Sequence, residues 1–253
     1  MTYFKQSCKI APGITATFIS NYGNEILQVH STARATIKVN EKPKKLRSYP
    51  NVDVMWIFDT TGSSGGGVDL IFNFPALYAT ISTLRERIPE NVARYGMASQ
   101  GDYPVDPYGH PGDLPYFLNT PLGAPQFFNY LKTNVGNFLY PFEGNDTPEA
   151  QFDAIQQCAL DGAVGWRAPI KFIILSTDAP VHEGGIHTTF AQMCAVLRAR
   201  NMHAFMLNGI PNNPDNDVFQ GFFTPTDYRE AADMLATKMI RIIDPNYQLA
   251  APT

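Results

Sequence analysis

Acids and hydroxyls recur at the ends of apolar runs in this chain. Asp59 closes the run 52–58, and Thr61 and Ser63 follow at alternate positions, so three oxygen-bearing side chains share one turn. Asp178 closes a second run, 170–177. Glu149 lies in Asp146-Thr147-Pro148-Glu149, where Thr147 reads as a helix cap, Pro148 as the first helical position and Glu149 as an acid at the positive end of the dipole. Carboxylates and hydroxyls without cysteine or histidine suit a hard divalent cation, Mg²⁺ or Mn²⁺, better than Zn²⁺. The same residues also read as purely structural, with Thr61 and Ser63 capping the next helix and Glu149 stabilising another. Spacing alone leaves these two readings even.

Enzymatic motifs are approached but not completed. Asp59-Thr60-Thr61-Gly62 nearly spells the Asp-Thr-Gly of aspartic proteases, yet one residue is inserted and no second copy supplies the paired carboxylate. The aspartyl-phosphate sequence of ion-pumping ATPases fails because Thr60 stands where a lysine is needed. His182 and His187 are five residues apart across Gly184 and Gly185, a spacing that does not present two histidines to one zinc ion from a helix. They read as loop histidines at the rim of a site. Ser64-Gly65-Gly66-Gly67 lacks the lysine of a phosphate loop. Trp56 and Trp166 have no interleaved basic cluster, so they read as core or hinge aromatics rather than a stacking platform, and nucleic acid is not expected as a partner. A non-enzymatic role follows.

The elements that must position these residues are strands alternating with helices. Apolar runs at 52–58, 92–99, 170–177 and 203–207 read as strands buried on both faces, and 68–87, 124–133, 148–160, 188–200 and 226–243 read as helices. That alternation predicts a mostly parallel central sheet between helical layers. In such sheets ligands bind beyond the carboxyl ends of the strands, where Asp59 and Asp178 stand. The stretch 103–125 is dense in Pro, Gly and Tyr and has no period, as expected of a binding loop. Before residue 50 the pattern is β-rich, with strands at 14–19 and 25–39 around the turn Asn21-Tyr22-Gly23-Asn24. Two parts result: a β-rich basic arm and linker over 1–50, and an α/β domain over 51–253.

Charge separates the same two parts. The first 50 residues hold 8 Lys or Arg against 2 Glu, whereas the remainder holds 11 bases against 21 acids. Lys42-Pro43-Lys44-Lys45-Leu46-Arg47 is the densest basic run and reads as a solvated linker. A chain of 253 residues that is 44% hydrophobic and 17% charged buries a core without disulfides. Its three cysteines, Cys8, Cys158 and Cys194, are expected as free thiols. No run is long enough to span a membrane, and no secretion signal is evident at the start, so synthesis in the cytoplasm is expected.

Asp146-Thr-Pro-Glu-Ala-Gln-Phe-Asp-Ala-Ile155, then Gly165-Trp166-Arg167, then Leu175-Ser-Thr-Asp-Ala179 resembles, in order and spacing, the I-like domain of integrin beta subunits. That domain is a member of the von Willebrand factor A superfamily. The Asp59-x-Thr-x-Ser turn and Tyr95-Gly96 through Asp102 and Pro104 to Tyr108 extend the likeness over residues 50 to 210. It implies a three-layer, Rossmann-like domain with a metal-ion-dependent adhesion site. Thr61, Ser63 and Glu149 would lie close to the cation, Asp59 and Asp178 would act through water, and a partner's acidic residue would complete the shell. A second site, suited to Ca²⁺, is implied at Asp102, Asp146, the Pro148 carbonyl and Glu149.

This sequence departs from the family in three places. A family asparagine of the second site falls on Gly144, with Asn145 displaced by one. The acids of a third, regulatory site are replaced by Gly65-Gly66-Gly67, with Asp69 the nearest acid. The loop of 103–125, with Tyr103, Asp106, Tyr108, His110, Asp113 and Tyr116 as candidate ligand-binding residues, occupies the place of the family's specificity loop but lacks its disulfide. The expected function is a metal-dependent protein-binding or adhesion module, a structural or attachment subunit of a particle such as a bacteriophage virion, anchored to neighbouring subunits by its arm. The alternative is an intracellular bacterial scaffold that holds a partner's carboxylate.

Overall fold

The computed structural model describes residues 4–11, 14–21, 24–31, 50–61, 78–84, 93–124, 148–177, 179–207, 219–223 and 228–244. The chain divides into two compact units, Met1–Arg47 and Ser48–Thr253.

The first unit is an antiparallel sheet of β1 (Phe4–Ala11), β2 (Ile14–Asn21) and β3 (Asn24–Ser31) in that order. Phe18 stands opposite Leu27, and Asn21 opposite Asn24 closes the hairpin. Strand β1 goes beyond the sequence reading, because Lys5, Gln6, Ser7 and Lys9 interrupt its apolar pattern. The expected continuation of the last strand over 32–39 lies outside the described residues.

The second unit is built on a six-stranded sheet of order β6-β5-β4-β7-β8-β9. Its strands are β4 (Val52–Asp59), β5 (Ala93–Gln100), β6 (Phe117–Thr120), β7 (Ile170–Ser176), β8 (Met202–Leu207) and β9 (Phe219–Phe223). All neighbours pair in parallel except β6, which runs antiparallel beside β5. Strands β4 and β7 have no solvent side because their alternate residues feed two cores. Val54, Trp56 and Phe58 join Phe172 and Ile174 beneath one helical layer, residues 78–84 (α1) and Tyr228–Ile243 (α4). Met55 and Ile57 join Ile173 and Leu175 beneath the other, Gln151–Leu160 (α2) and Phe190–Arg200 (α3). Each fully buried large apolar side chain contributes about 1.5–3 kcal/mol, so this two-sided burial is what makes the central strands obligatory. The fold is a mixed α/β fold with a mostly parallel sheet and helices on both faces.

Several boundaries differ from the sequence reading for local reasons. Helix α2 begins at Gln151 rather than at Pro148, because residue 149 first makes a parallel bridge to Val181. Its N-cap is Ala150, which makes no side-chain capping bond. Helix α3 begins at Phe190 under a capping box formed by Thr189 and Gln192. The expected helix over 124–133 lies outside the described residues beyond Ala124. Within the 103–125 loop the chain makes β6, whose Thr120 faces Met97. This strand is possible because Gly96 offers no Cβ, where one would meet the Thr120 carbonyl at 2.8 Å and Met55 Sδ at 2.7 Å.

Candidate functional site

From β4 the chain passes to β5 on one side and to β7 on the other, so strand order reverses about β4, and sheets of this kind bind ligands beyond the carboxyl ends of the strands at such a reversal. Asp59 ends β4 and is buried there. Its Oδ1 accepts from the Thr61 backbone N–H at 3.1 Å and the Thr61 hydroxyl at 2.7 Å, and its Oδ2 accepts from the Thr177 hydroxyl at 2.6 Å. This carboxylate therefore ties the turn after β4 to the residue after β7. Ser63 and Asp178, expected to join it, lie outside the described residues.

Glu149 is buried on the same edge, with extended backbone. Its N–H donates to the Pro180 carbonyl at 2.9 Å and its own carbonyl accepts from His182 N–H at 2.8 Å. Gln151 reinforces the junction by donating from Nε2 to Thr177 Oγ1 and to the carbonyls of Ala179 and Pro180. Of the expected second site, Asp102 is buried just past β5 and Pro148 is half-buried, while Asp146 lies outside the described residues.

A second polar centre, which the sequence reading missed, is built on Asp153 in the first turn of α2. Its Oδ1 accepts from the Tyr103 hydroxyl at 2.9 Å, from Thr188 N–H at 3.0 Å and from the Thr188 hydroxyl at 2.7 Å. Nδ1 of His187 lies 3.4 Å from Asp153 Oδ2 and 4.0 Å from Asp102 Oδ1. Above this centre the rings of His182 and His187 stack at 4.4 Å, and Tyr108 meets both edge-on. Stacked face to face, the two imidazoles belong to an aromatic brace between the loop after β5 and the loop after β7. Burial, followed by the negative charge of Asp153, pushes the Tyr103 phenol up to about 12. A period-3.6 reading has no means of finding Asp153, because the partners it joins lie 35 and 50 residues away.

The remaining loop candidates divide. Asp106 and His110 are exposed, whereas Asp113 is buried and accepts the His110 N–H at 2.7 Å. Tyr116 turns away from the loop and donates its hydroxyl to Asp161 at 3.2 Å, just past the end of α2. Burial raises its pKa well above the ordinary tyrosine range.

No family model matches the chain. Among solved structures it is similar to proximal thread matrix protein 1 from the mussel byssus, with a TM-score of 0.50 and 15% identity over 76% of this chain and 48% of that one. It is also similar to the pilus adhesin SpaC from Lactobacillus rhamnosus GG, at a TM-score of 0.44 and 12% identity over 96% of this chain and 34% of that one. The PilB minor pilin from Streptococcus sanguinis follows at 0.47 and 8% identity, over 99% and 80% of the two chains. This chain thus spans about half the length of the thread matrix protein and about a third of the pilus adhesin. At these identities the likeness concerns the fold.

These findings correct the resemblance drawn from the sequence. The similar structures are a thread matrix protein and pilus proteins, not integrin I-like domains, and the von Willebrand A type reduces to the mixed α/β fold described above. The adhesion-site label is corrected with it, since among the described residues no group of three or more His, Cys, Asp or Glu side chains is placed to hold a metal ion. The physical reason is that short acid-and-hydroxyl motifs at strand ends have structural work to do in any doubly wound sheet. Asp59 shows this by binding Thr61 and Thr177. Among the described residues no helix is long and apolar enough to cross a membrane.

Proposed function

We propose that this chain is a non-enzymatic protein-binding subunit, a structural or attachment component of a large assembly such as a virion. Its binding face is formed by the loops at the carboxyl ends of β5 and β7, and its N-terminal arm contacts neighbouring subunits. One observation carries this reading. The loops are cross-braced by Tyr103, Tyr108, His182, His187 and Asp153, yet they leave Val105, Leu114 and Ile186 at 48%, 41% and 50% exposure. Aliphatic side chains held out on ordered loops along one edge are surface that a protein partner can cover. The hydroxyls of Thr61, Thr177 and Thr188 donate to carboxylates, an arrangement that holds loops together.

An acidic partner, expected from the sequence, needs a cation between itself and the carboxylates of this edge, whereas a basic or apolar partner does not. The test is co-sedimentation of the chain with large particles from the cells that make it, with Mg²⁺ and with EDTA. Val105→Asp with Ile186→Asp is expected to fold normally and to be lost from those particles. Wild-type incorporation of this double variant overturns the reading. So does turnover of a phosphate ester or peptide that disappears in Asp59→Asn and persists in a surface control.

A further inference from the structure

The N-terminal sheet has two outer strands, β1 and β3, which differ in how they meet a further strand. In an antiparallel pair, opposed residues alternate between those that exchange backbone hydrogen bonds and those whose backbone groups point the other way. The β2–β3 hairpin closes on Asn21 opposite Asn24 with two residues between them, so that pair is a hydrogen-bonded one. The alternation then follows along the whole register. Asn24, Ile26, Gln28 and His30 bond toward β2, and the backbone groups of Glu25, Leu27, Val29 and Ser31 point away from it. Across β2 the same alternation turns the backbone groups of Lys5, Ser7 and Lys9 outward from β1. The two edges are therefore unequal. β1 places lysine at two of these three outward positions and shifts register between Lys9 and Ala11, and both features discourage a further strand. β3 has neither feature, keeping an unbroken register from Asn24 to Ser31 with no Lys, Arg or Pro. Among the described residues β2 is its only strand partner. A long edge without such protection is a template for another chain.

We infer that β3 pairs antiparallel with β3 of a second copy, about a two-fold axis perpendicular to the sheet. This names the neighbour that the N-terminal arm contacts in the proposed function and rests on that reading. The axis keeps each face of the sheet on its own side, so only residues that share a face can stand opposite one another. Among the registers that satisfy this, the one centred on Gln28 uses every outward position of β3. Leu27 then meets Val29 of the second copy, Glu25 meets Ser31, Ile26 meets His30 and Gln28 meets itself. No two like charges are opposed, as stable cross-strand pairing requires. The joined sheet ends on β1 at both sides, with its lysines at the outward positions. Association therefore closes as an isologous dimer instead of growing into a filament.

Sedimentation velocity of the full chain over a wide concentration range tests this inference, and a reversible monomer–dimer equilibrium is expected. Val29→Pro removes an outward N–H and none that bonds to β2, so it should weaken dimerisation by roughly tenfold or more. Circular dichroism checks that this variant keeps its fold. Gln28→Cys provides a second measurement that does not depend on a disruptive change. Residues directly opposed at a non-hydrogen-bonded site come within reach of a disulfide, so mild oxidation should convert this variant to a covalent dimer. Under the same oxidation the wild type and Ser7→Cys, on the β1 edge, should stay uncrosslinked. A wild type that is monomeric at every concentration overturns the inference, as does a Gln28→Cys chain that cross-links no more than the wild type. So does a folded Val29→Pro chain that dimerises unchanged. If the chain is monomeric yet leaves the large particles when residues 1–47 are removed, this inference falls and the arm's part in assembly stands. If removing 1–47 leaves co-sedimentation intact, that part falls as well.

Discussion

Asp153 accepts the hydroxyl of Tyr103 at 2.9 Å across fifty residues of chain, and with the same oxygen it holds Thr188. One carboxylate in the first turn of α2 thereby sets the distance between the loop after β5 and the loop before α3. Everything proposed for the binding edge depends on those two loops keeping their spacing. Asp153→Ala leaves the Thr188 N–H and the Tyr103 hydroxyl without their acceptor, at a cost of about 3 kcal/mol in urea denaturation. An unchanged midpoint would show that the brace is carried by the aromatic rings alone.

The same contact has a pH signature. Burial and the Asp153 charge disfavour the Tyr103 phenolate and raise its pKa from 10.0 to about 12. A group whose folded pKa is raised stabilises the fold fully below its unfolded pKa and loses that contribution as pH rises through the folded value. Stability is therefore expected to fall as pH is taken from about 10 through about 12. Asp153→Ala should move the Tyr103 transition, followed by phenolate absorbance, toward lower pH. A Tyr103→Phe chain with the same alkaline loss of stability would assign that loss elsewhere.

At the opposite end of the sheet, Asp53 is buried in β4 and paired bidentately with Arg94 at 2.9 and 2.7 Å. Its Oδ2 also accepts the backbone N–H groups of Arg167 and Ala168, both at 2.8 Å. Arg94→Ala strands a buried carboxylate, which costs about 3–5 kcal/mol, while leaving the loop edge untouched. The expected outcome is a lower urea midpoint with unchanged association with large particles in those molecules that remain folded. A loss of association out of proportion to the loss of folding would couple the two ends of the sheet.

Gly96 makes a third structural test. An alanine Cβ there meets the Thr120 carbonyl and Met55 Sδ below 3.0 Å, and the former belongs to backbone. Gly96→Ala is expected to cost about 1–3 kcal/mol and to loosen β6 from β5. Faster amide exchange along Phe117–Thr120 checks this, and unaltered protection there would mean that Met55 alone yields.

The central strands were legible because 52–58 and 170–175 are apolar on both alternating faces apart from Asp53 and Lys171 near their starts, a pattern that burial on both faces explains. The short outer strands were less so. β6 follows a Pro- and Gly-rich loop, and β9, Phe-Gln-Gly-Phe-Phe, carries a glycine at its centre. Asp59 and Thr61 were recognised as a pair, but their partner Thr177 was overlooked beside the more conspicuous Asp178. Thr147-Pro148-Glu149 misled because its capping signal is locally strong, while the bridge to Val181 that delays the helix is a tertiary contact. Short acid-and-hydroxyl motifs suggested a family whose likeness the fold comparisons did not bear out. What they did locate was the edge of the sheet where loops from distant parts of the chain meet.

Removing the arm tests the division of the chain. Residues 48–253 form a compact unit of their own, and among the described residues both of its cores are built from Val52 onward. A boundary in a polar, Pro-containing run is also where domains tend to part. A chain beginning at Ser48 is therefore expected to keep the far-ultraviolet circular dichroism of its α/β sheet and to unfold cooperatively. Its co-sedimentation with large particles should be lost, since the arm proposed to contact neighbouring subunits is gone. A truncation that is unfolded would make the arm part of the folding unit. A folded truncation that associates as the full chain does would remove the arm from assembly altogether.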